Sequence, residues 1–151
     1  MKLTRRQALT LSAGAAAFAA SGLSVSSSWA GVQETEQAIL ALTGGKMPEM
    51  GKVTLTAPEI AENGNTVPVG VSVDSKMVDG DMVEFVAIFA EDNPSPDVVQ
   101  FHFTALSGSA SATTRMRLAR TQNVIAVAKM ADGSVFMDKK QVKVTIGGCG
   151  G

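Results

Sequence analysis

The sequence has little of the side-chain chemistry from which most catalytic sites are built. Its 151 residues include one cysteine, Cys149, and one histidine, His102. A single cysteine cannot form a disulfide within the chain, so it is either an intermolecular partner or a free reactive thiol. One histidine and one cysteine also make a poor ligand set for a metal ion. We therefore expect neither an internal disulfide nor a bound metal or other cofactor.

The sequence also lacks an apolar run long enough to cross a membrane. The apolar stretch of residues 13–20 is too short to span a bilayer. It lies within residues 1–30, which have a basic start, an apolar middle and a small-residue exit, the pattern of an export signal. The stretch "TRRQAL" resembles a twin-arginine motif, although Ala8 replaces the usual phenylalanine. We predict a twin-arginine-type signal over residues 1–30, cleavage after Ala30 and a periplasmic protein.

An excess of positive charge is absent as well. Beyond residue 30 the chain has ten basic and fourteen acidic residues, a net charge of about −4. This balance gives no reason to expect binding to nucleic acid or to an anionic membrane surface. The 121 residues from 31 to 151 are enough for one domain with its own core, and no repeat or second domain is visible.

The first segment after the signal has the periodicity of a helix. Within "VQETEQAILAL", Val32, Thr35, Ile39 and Leu42 fall near one helical face. Two glycines, residues 44 and 45, follow and would end the helix. The pattern predicts a short N-terminal helix within residues 31–45.

From residue 46 to residue 146 the pattern changes to that of β-strands. Five runs alternate apolar and polar residues: 52–57, 66–73, 98–103, 114–119 and 141–146. Runs 82–90 and 123–131 are continuously apolar, as strands covered on both faces are. Turn-forming residues separate the runs, and this spacing predicts an all-β, immunoglobulin-like antiparallel sandwich. Pro68 lies inside one run and predicts that its strand is at an edge or contains a bulge.

The sandwich is followed by "GGCGG", residues 147–151. Glycine has no Cβ and leaves the backbone nearly unrestricted, and five extended residues span roughly 17 Å. Burial of a cysteine needs apolar neighbours that fill space, and an exposed thiol is an oxidation hazard, so an incidental one is disfavoured. We therefore predict a flexible arm that carries a functional, exposed thiol. The residues of this arm are Gly147, Gly148, Cys149, Gly150 and Gly151.

The surroundings of Cys149 do not favour a catalytic thiol. Such thiols usually have a base or a positive charge nearby. The nearest cation along the chain is Lys143, and the α-carboxylate of Gly151 opposes thiolate formation. The sequence therefore favours a thiol that reacts inside the active sites of other proteins.

The remaining candidates for chemistry have simpler interpretations. His102 alternates with Phe101 and Phe103, so it should point away from their face, toward solvent or another subunit. Arg115 and Arg117 share one face of a predicted strand, with Arg120 just beyond. They could attract an anion such as a sulfonate, but a solvated or partner-facing polar edge is the default interpretation. The scattered methionines are interpreted as core residues. The acidic residues of a proline-containing turn, Glu91, Asp92 and Asp97, are interpreted as a solvated loop.

Several stretches, taken in order, resemble the SoxY family. They are "LTGGK", "PEIAENGNTVPVGVSVDS", "NPSPDVVQFHFT", "TRMRLARTQNVIAVAKMADGS" and the terminal "GGCGG", and together they cover essentially the whole chain after the signal. The family comprises the sulfur-carrier subunits of the periplasmic thiosulfate-oxidising Sox system. The resemblance implies an immunoglobulin-like sandwich that forms a heterodimer with a smaller SoxZ-type subunit. It also implies a covalent carrier and not an enzyme.

The resemblance further implies how Cys149 is used. A c-type cytochrome loads it with thiosulfate as a cysteine S-thiosulfonate. The loaded arm then visits a dimanganese sulfohydrolase, which releases sulfate, and a sulfane dehydrogenase where one is present. Of all the residues only Cys149 is modified, and Gly147, Gly148, Gly150 and Gly151 make the arm flexible.

Three other functions stay open on the residues alone. The terminal Gly-Gly resembles ubiquitin-like carriers that form a C-terminal thiocarboxylate, although those are activated in the cytoplasm. A thiol enzyme such as a peroxidase would need a base and a resolving cysteine. An adhesive or chaperone-like sandwich would leave the glycine arm unexplained.

Overall fold

The structure is a computed structural model that describes residues 31–146. The predicted signal peptide, its cleavage after Ala30, and the GGCGG arm with Cys149 lie outside the described residues. No helix in the described part of the chain is long and apolar enough to cross a membrane.

Residues 31–146 form one α-helix, one 3-10 turn and nine strands. The helix α1 is Val32–Thr43, and the 3-10 turn is Ala105–Ser107. The strands are β1 (Glu49–Met50), β2 (Val53–Thr56), β3 (Ile60–Ala61), β4 (Val67–Val73), β5 (Val83–Ala90), β6 (Asp97–His102), β7 (Ser111–Met116), β8 (Gln122–Met130) and β9 (Val135–Val144).

The predicted short helix is present and is bounded by local signals. At its start the Glu34 carboxylate accepts a hydrogen bond from the backbone N–H of Gly31, 2.9 Å away. At its end Gly44 adopts a φ of 73°, a left-handed conformation that glycine adopts without steric cost. The buried residues Thr35, Ile39 and Thr43 recur every four positions, so one face of α1 packs on the sheet beneath it.

The strands form two facing sheets. The large sheet has the order β1-β9-β8-β5-β6, with β3 also paired to β9, and the small sheet has the order β2-β4-β7. All pairs are antiparallel except those of the two-residue strands β1 and β3, which run parallel to β9. The predicted all-β, immunoglobulin-like sandwich is confirmed.

The two continuously apolar runs became the central strands β5 and β8, because each is covered on both faces. Val86 and Ala126 point toward the small sheet and join the main core. Phe89 and Ile125 point the other way and form a second cluster with Ile39 of α1. Burying one such large side chain contributes about 1.5–3 kcal/mol, which explains why both faces of these strands are apolar.

The prediction for Pro68 was wrong for the strand as a whole. β4 is the middle strand of the small sheet and pairs with both β2 and β7. The β2 ladder, however, ends at the pair Thr56–Gly70, so only β7 pairs with β4 at Pro68. The proline lies where the second ladder has already ended, and its missing N–H costs no hydrogen bond on that side.

The last strand is longer than predicted. The alternation begins at residue 141, whereas β9 begins at Val135. Its first half includes Asp138, Lys139 and Lys140, which break the apolar pattern. Asp138 is tied to the other sheet, because its Oδ2 accepts the N–H of Leu55 at 2.8 Å. A tertiary contact therefore holds in the sheet a segment whose local sequence does not predict a strand.

Candidate functional site

Cys149 and the four glycines around it lie outside the described residues, and the nearest described position is Ile146, directly after β9. Beyond its ladder with β8, the end of β9 is held by the side chain of Thr121, the residue that precedes β8. The hydroxyl of Thr121 accepts the N–H of Val144 at 3.0 Å and donates to its carbonyl at 3.4 Å. The strand that leads to the arm is thus held close to its last residue.

A loop on the other side of β9 holds the next two residues. Thr145 donates its N–H to the carbonyl of Ala61 at 3.1 Å and its hydroxyl to the carbonyl of Glu62 at 2.8 Å. Gly64 donates its N–H to the carbonyl of Ile146 at 2.7 Å. The backbone is therefore hydrogen-bonded up to the residue that precedes the arm.

Gly64 also links this loop to the small sheet. Its carbonyl accepts the N–H of Leu118 at 2.8 Å, and Gly64 itself is buried. One glycine thus bridges Ile146 and the segment that follows β7. We call Thr121, Gly64 and residues 144–146 together the arm anchor.

A buried amide network lies beside the arm anchor. Asn93 donates from Nδ2 to the carbonyl of Arg117 at 2.8 Å, and its Oδ1 accepts from the N–H of Ala119 at 3.1 Å and from Nε2 of Gln122 at 2.9 Å. Gln122 in turn accepts the N–H of Asp92 at 2.8 Å. Both amide side chains are buried, and an unmade hydrogen bond of a buried polar group costs about 1–3 kcal/mol. The network joins two loops that are about 30 residues apart in the chain.

The interpretation of the acidic turn as a solvated loop was wrong for Glu91. This residue is 5% exposed. Its carboxylate accepts from Nζ of Lys139 at 2.6 Å and from Nδ2 of Asn123 at 2.6 Å. Asp92 and Asp97 are less buried, and Asp92 forms an ion pair with Arg120 at 3.4 Å. The chain buries one charge of the turn, and that charge has both an ionic and an amide partner.

The expectation that Arg115 and Arg117 share one strand face was wrong. Arg115 lies in β7, but the strand ends at Met116, so Arg117 belongs to the following loop. Arg115 and Arg117 are exposed and form no ion pair within residues 31–146, whereas Arg120 is paired with Asp92. The arginines lie near the arm anchor but do not form a common anion site.

His102 lies far from the arm anchor. It is exposed at the end of β6, and its ring contacts Phe85 with 5.9 Å between ring centroids. Strand registers align it with Phe85, Lys129 and Val135 across the large sheet. From Val135 to Val144, nine steps along β9 cover about 30 Å, and β6 is three strand spacings to the side. His102 therefore has no geometric relation to the arm.

At the opposite end of the sandwich, the half-buried Asp81 and the exposed Asp132 have shifted pKa values. A hydrogen bond from the backbone N–H of Lys76, together with the Lys52 side chain, lowers the pKa of Asp81. Hydrogen bonds from Ser134 lower the pKa of Asp132. Both residues lie in turns next to the start of β5 and of β9, so these shifts belong to turn structure and not to the arm anchor.

The surface has a groove, and a small cavity lies beneath α1. An open groove of about 820 Å³ runs over the outer face of the small sheet, and none of its lining residues has a titratable side chain. A cavity of about 100 Å³ lies beneath α1 and is lined in part by Thr35, Glu91 and Lys139. Residues 31–146 contain no group of three His, Cys, Asp or Glu side chains that could hold a metal ion. No set of side chains for nucleophilic or metal catalysis is assembled among these residues.

Sequence reasoning missed Gly64, Thr121, Asn93 and Gln122. The stretch "ENGN" was interpreted only as a break between strands, and the loop residues before β8 carried no periodic signal. Their roles depend on which loops meet in space. The one available signal was that the last predicted strand runs directly into the glycine-rich segment, which marks that end of the strand as functionally important.

Comparison with known proteins assigns the chain to a family. The model of the family "Sulfur oxidation protein SoxY" matches residues 39–149. No curated protein matches the chain. Among solved structures, the sulfur carrier protein SoxY from Chlorobium limicola f thiosulfatophilum is 31% identical, with a TM-score of 0.62, over 72% of this chain and 90% of that one.

Superoxide reductases share the fold at much lower identity. The enzyme (neelaredoxin) from Ignicoccus hospitalis is 15% identical, with a TM-score of 0.55, over 77% of this chain and 94% of that one. The enzyme from Nanoarchaeum equitans is 11% identical, with a TM-score of 0.53, over 63% and 99%. These likenesses show the fold alone. The family match covers most of the chain and confirms the resemblance found in the sequence: the chain belongs to the SoxY family of sulfur oxidation proteins.

Proposed function

We propose that this chain is a covalent carrier of sulfur intermediates in thiosulfate oxidation, with Cys149 as the attachment point. The family match extends to residue 149 and so includes this cysteine. The similar protein from Chlorobium limicola is called a sulfur carrier protein. The observation that carries the proposal is the arm anchor, which hydrogen-bonds the backbone up to Ile146, three residues before the thiol. An anchored start and a glycine arm together suit the delivery of a tethered substrate.

The proposed loading step is an oxidation. The Cys149 thiol loses its proton and forms a sulfur–sulfur bond with thiosulfate, giving a cysteine S-thiosulfonate, and two electrons pass to a c-type cytochrome. In the next step water attacks the terminal sulfonate sulfur at a dimanganese sulfohydrolase. Sulfate leaves, and a persulfide stays on Cys149 for a sulfane dehydrogenase where one is present. The carrier supplies the thiol and its position, and the partner proteins supply the catalysis.

A non-catalytic role agrees with the surroundings of the arm. Three residues from Ile146 to Cys149 span at most about 11 Å, much less than the distance to His102. No histidine of this chain can therefore serve as a base for the thiol in the same molecule. Without such a base the thiol depends on groups in the partner enzymes for its activation.

The proposed chain has four segments and one partner subunit. Residues 1–30 are an export signal that sends the protein to the periplasm, residues 31–45 and 46–146 are the helix and the sandwich, and residues 147–151 are the carrier arm. A SoxZ-type subunit forms a heterodimer with the mature chain. Neither nucleic acid nor a membrane is a partner.

Glycine at positions 147, 148, 150 and 151 gives the arm the smallest possible width and a freely turning backbone. Gly148→Val or Gly150→Val should slow turnover in a reconstituted thiosulfate oxidation assay while leaving the unfolding midpoint unchanged. Thr54→Val, on the exposed face of the small sheet, is the matched control. Unchanged turnover in both arm variants would count against an arm that must enter narrow active sites.

Intact-mass analysis after incubation with thiosulfate and the partner proteins tests the main proposal. We expect an adduct on Cys149 that reduction removes and that Cys149→Ser abolishes. An adduct on the terminal carboxylate would replace the proposal with a thiocarboxylate carrier. The absence of any adduct, with partner proteins active on a known carrier, would refute it.

A further inference from the structure

Asn63 differs from the other asparagines of the chain in the residue that follows it. The four asparagines are followed by Gly64, Thr66, Pro94 and Val124. An asparagine side chain loses its amide when the backbone nitrogen of the next residue attacks the side-chain carbonyl carbon. Glycine leaves that nitrogen unobstructed, β-branched threonine and valine crowd it, and proline has no N–H. Asn63 is therefore the position most prone to deamidation.

In the folded chain the nitrogen that would attack is bound to β9. Gly64 is buried and donates its N–H to the carbonyl of Ile146 at 2.7 Å, whereas Asn63 is exposed. The Asn63 carboxamide is also held, because its Oδ1 accepts the N–H of Asn65 at 2.9 Å. Ring closure needs the Gly64 nitrogen to lose its proton and the carboxamide to turn toward it. Both groups must first leave their hydrogen bonds, so the reaction requires a local opening of the arm anchor.

The loop is bound to β9 on the other side of Asn63 as well. The carbonyl of Glu62 accepts the Thr145 hydroxyl at 2.8 Å, and the carbonyl of Ala61 accepts the Thr145 N–H at 3.1 Å. Asn63 thus lies between two residues, Glu62 and Gly64, that bind the end of β9 and the residues directly after it. A change in the backbone or charge of Asn63 therefore acts on the residues that precede the arm.

We infer that Asn63 is a deamidation site that the closed arm anchor protects, and that its deamidation opens the anchor. Either product, aspartate or isoaspartate, adds a negative charge next to Glu62. Isoaspartate also adds a methylene group to the main chain, so the loop no longer matches the positions of Thr145 and Ile146. This modification site is independent of the carrier function proposed for Cys149.

The reaction needs only water. The Gly64 nitrogen forms a bond with Cγ of Asn63 and gives up its proton to solvent, and the side-chain nitrogen takes up a proton and leaves as ammonia. Water then opens the succinimide ring at one of its two carbonyl carbons. Opening at one carbon gives aspartate and at the other isoaspartate, and no atom changes its oxidation state.

Peptide mapping by mass spectrometry, after incubation at mildly alkaline pH, tests the inference. The mature chain with Cys149→Ser, which avoids thiol oxidation, is compared in buffer and in denaturing guanidinium. We expect Asn63 to deamidate at least about tenfold more slowly in the folded chain, because only the opened fraction reacts. In guanidinium Asn63 should react before the other asparagines.

A variant that loosens the loop tests the coupling to β9. Thr145→Val removes the hydroxyl that binds the carbonyl of Glu62. We expect hydrogen exchange at the Gly64 amide and deamidation of Asn63 to accelerate by the same factor, since both need the same opening. Thr54→Val, the matched control on the exposed face of β2, should change neither rate. The deamidated parent chain, separated by ion exchange, should show faster hydrogen exchange at the Thr145 amide.

Several outcomes would overturn the inference. Equal deamidation rates in the folded and unfolded chains, or no reaction at Asn63 in guanidinium, would remove the protected site. A Thr145→Val variant with faster exchange at Gly64 but unchanged deamidation would separate the two events, and no change in either would remove the coupling to β9. A deamidated chain that exchanges at Thr145 as the parent does would refute the effect on the anchor. None of these outcomes bears on the Cys149 adduct experiment.

Discussion

At the end of the sandwich where β9 finishes, the loops are joined by buried amides and a buried carboxylate, whereas at the opposite end the turns are held by aspartates that solvent reaches. Asn93 and Gln122 are 8% and 3% exposed. Asp81 and Asp132, by contrast, bind backbone or hydroxyl groups of their own turns, and Asp81 adds a partly exposed ion pair with Lys52. The first kind of contact is buried and joins distant segments, whereas the second is more exposed and mostly local. The end of the sandwich that precedes residues 147–151 is therefore the one held by buried hydrogen bonds between distant segments.

Disrupting the amide network should cause the largest loss of stability among the variants proposed here. Asn93→Ala leaves the N–H of Ala119 and one donor of Gln122 without the acceptor that they share in the parent chain. We expect a loss of about 2–4 kcal/mol in the free energy of unfolding, measured by urea denaturation. Asn63→Ala is the control, because its Oδ1 accepts only the exposed N–H of Asn65, and it should cost less than about 0.5 kcal/mol. Equal losses in the two variants would contradict the contrast.

Removing the ion pair of Glu91 should cause the second-largest loss of stability. Lys139→Met removes the ammonium and leaves a buried carboxylate with one amide partner. Because the Lys139 side chain is 39% exposed, solvent screens part of the pair, and we expect a loss of about 1–2 kcal/mol in the free energy of unfolding. Lys140→Met changes a neighbouring exposed lysine that has no ion pair within residues 31–146. Thermal unfolding of both variants should separate them; a Lys140→Met variant as unstable as Lys139→Met would count against the pair.

The arm anchor should show a smaller, more local effect. Thr121→Val removes the hydroxyl that binds both backbone groups of Val144. We expect a loss of about 0.5–1 kcal/mol and faster hydrogen exchange at the Val144 amide than at the centre of β9. Thr54→Val makes the same change at an exposed position on β2, where the hydroxyl has no hydrogen bond to the described residues. Uniformly faster exchange along β9 would show that Thr121 supports the whole strand and not its end.

The opposite end should give the smallest effect, and that effect should depend on pH. The pKa of Asp81 is lowered from its ordinary value of 3.8 by the N–H of Lys76 and by Lys52, so the ionised form stabilises the folded state. This contribution is present above the unfolded pKa and is lost as pH falls through the folded pKa. Asp81→Asn should therefore slightly lower the unfolding midpoint at neutral pH and match the parent chain well below pH 3.8. Asp79→Asn, in the same turn, is the control; a difference from the parent that persists in acid would contradict this account.

The sequence predicted the features that depend on neighbouring residues and missed those that depend on contacts between distant segments. β5 and β8 were predicted because burial on both faces requires an uninterrupted apolar run, which can be read locally. The first half of β9 was missed because Asp138 is stabilised there by Leu55, 83 positions away. Glu91 was assigned to solvent because nothing near it in the chain indicates Lys139, 48 positions away.

By itself, the sequence determined the short helix, the alternating strands of a sandwich and a single thiol within a glycine-rich segment. These depend on side-chain periodicity and on the missing Cβ of glycine, both of which are local properties. Only the tertiary structure decided that Gly64 and Thr121 hold the backbone up to Ile146, and that Asn93 and Gln122 join the loops beside them. Strand order and contacts between loops depend on segments that are distant in the chain, and a local pattern does not encode which of those segments will pack together.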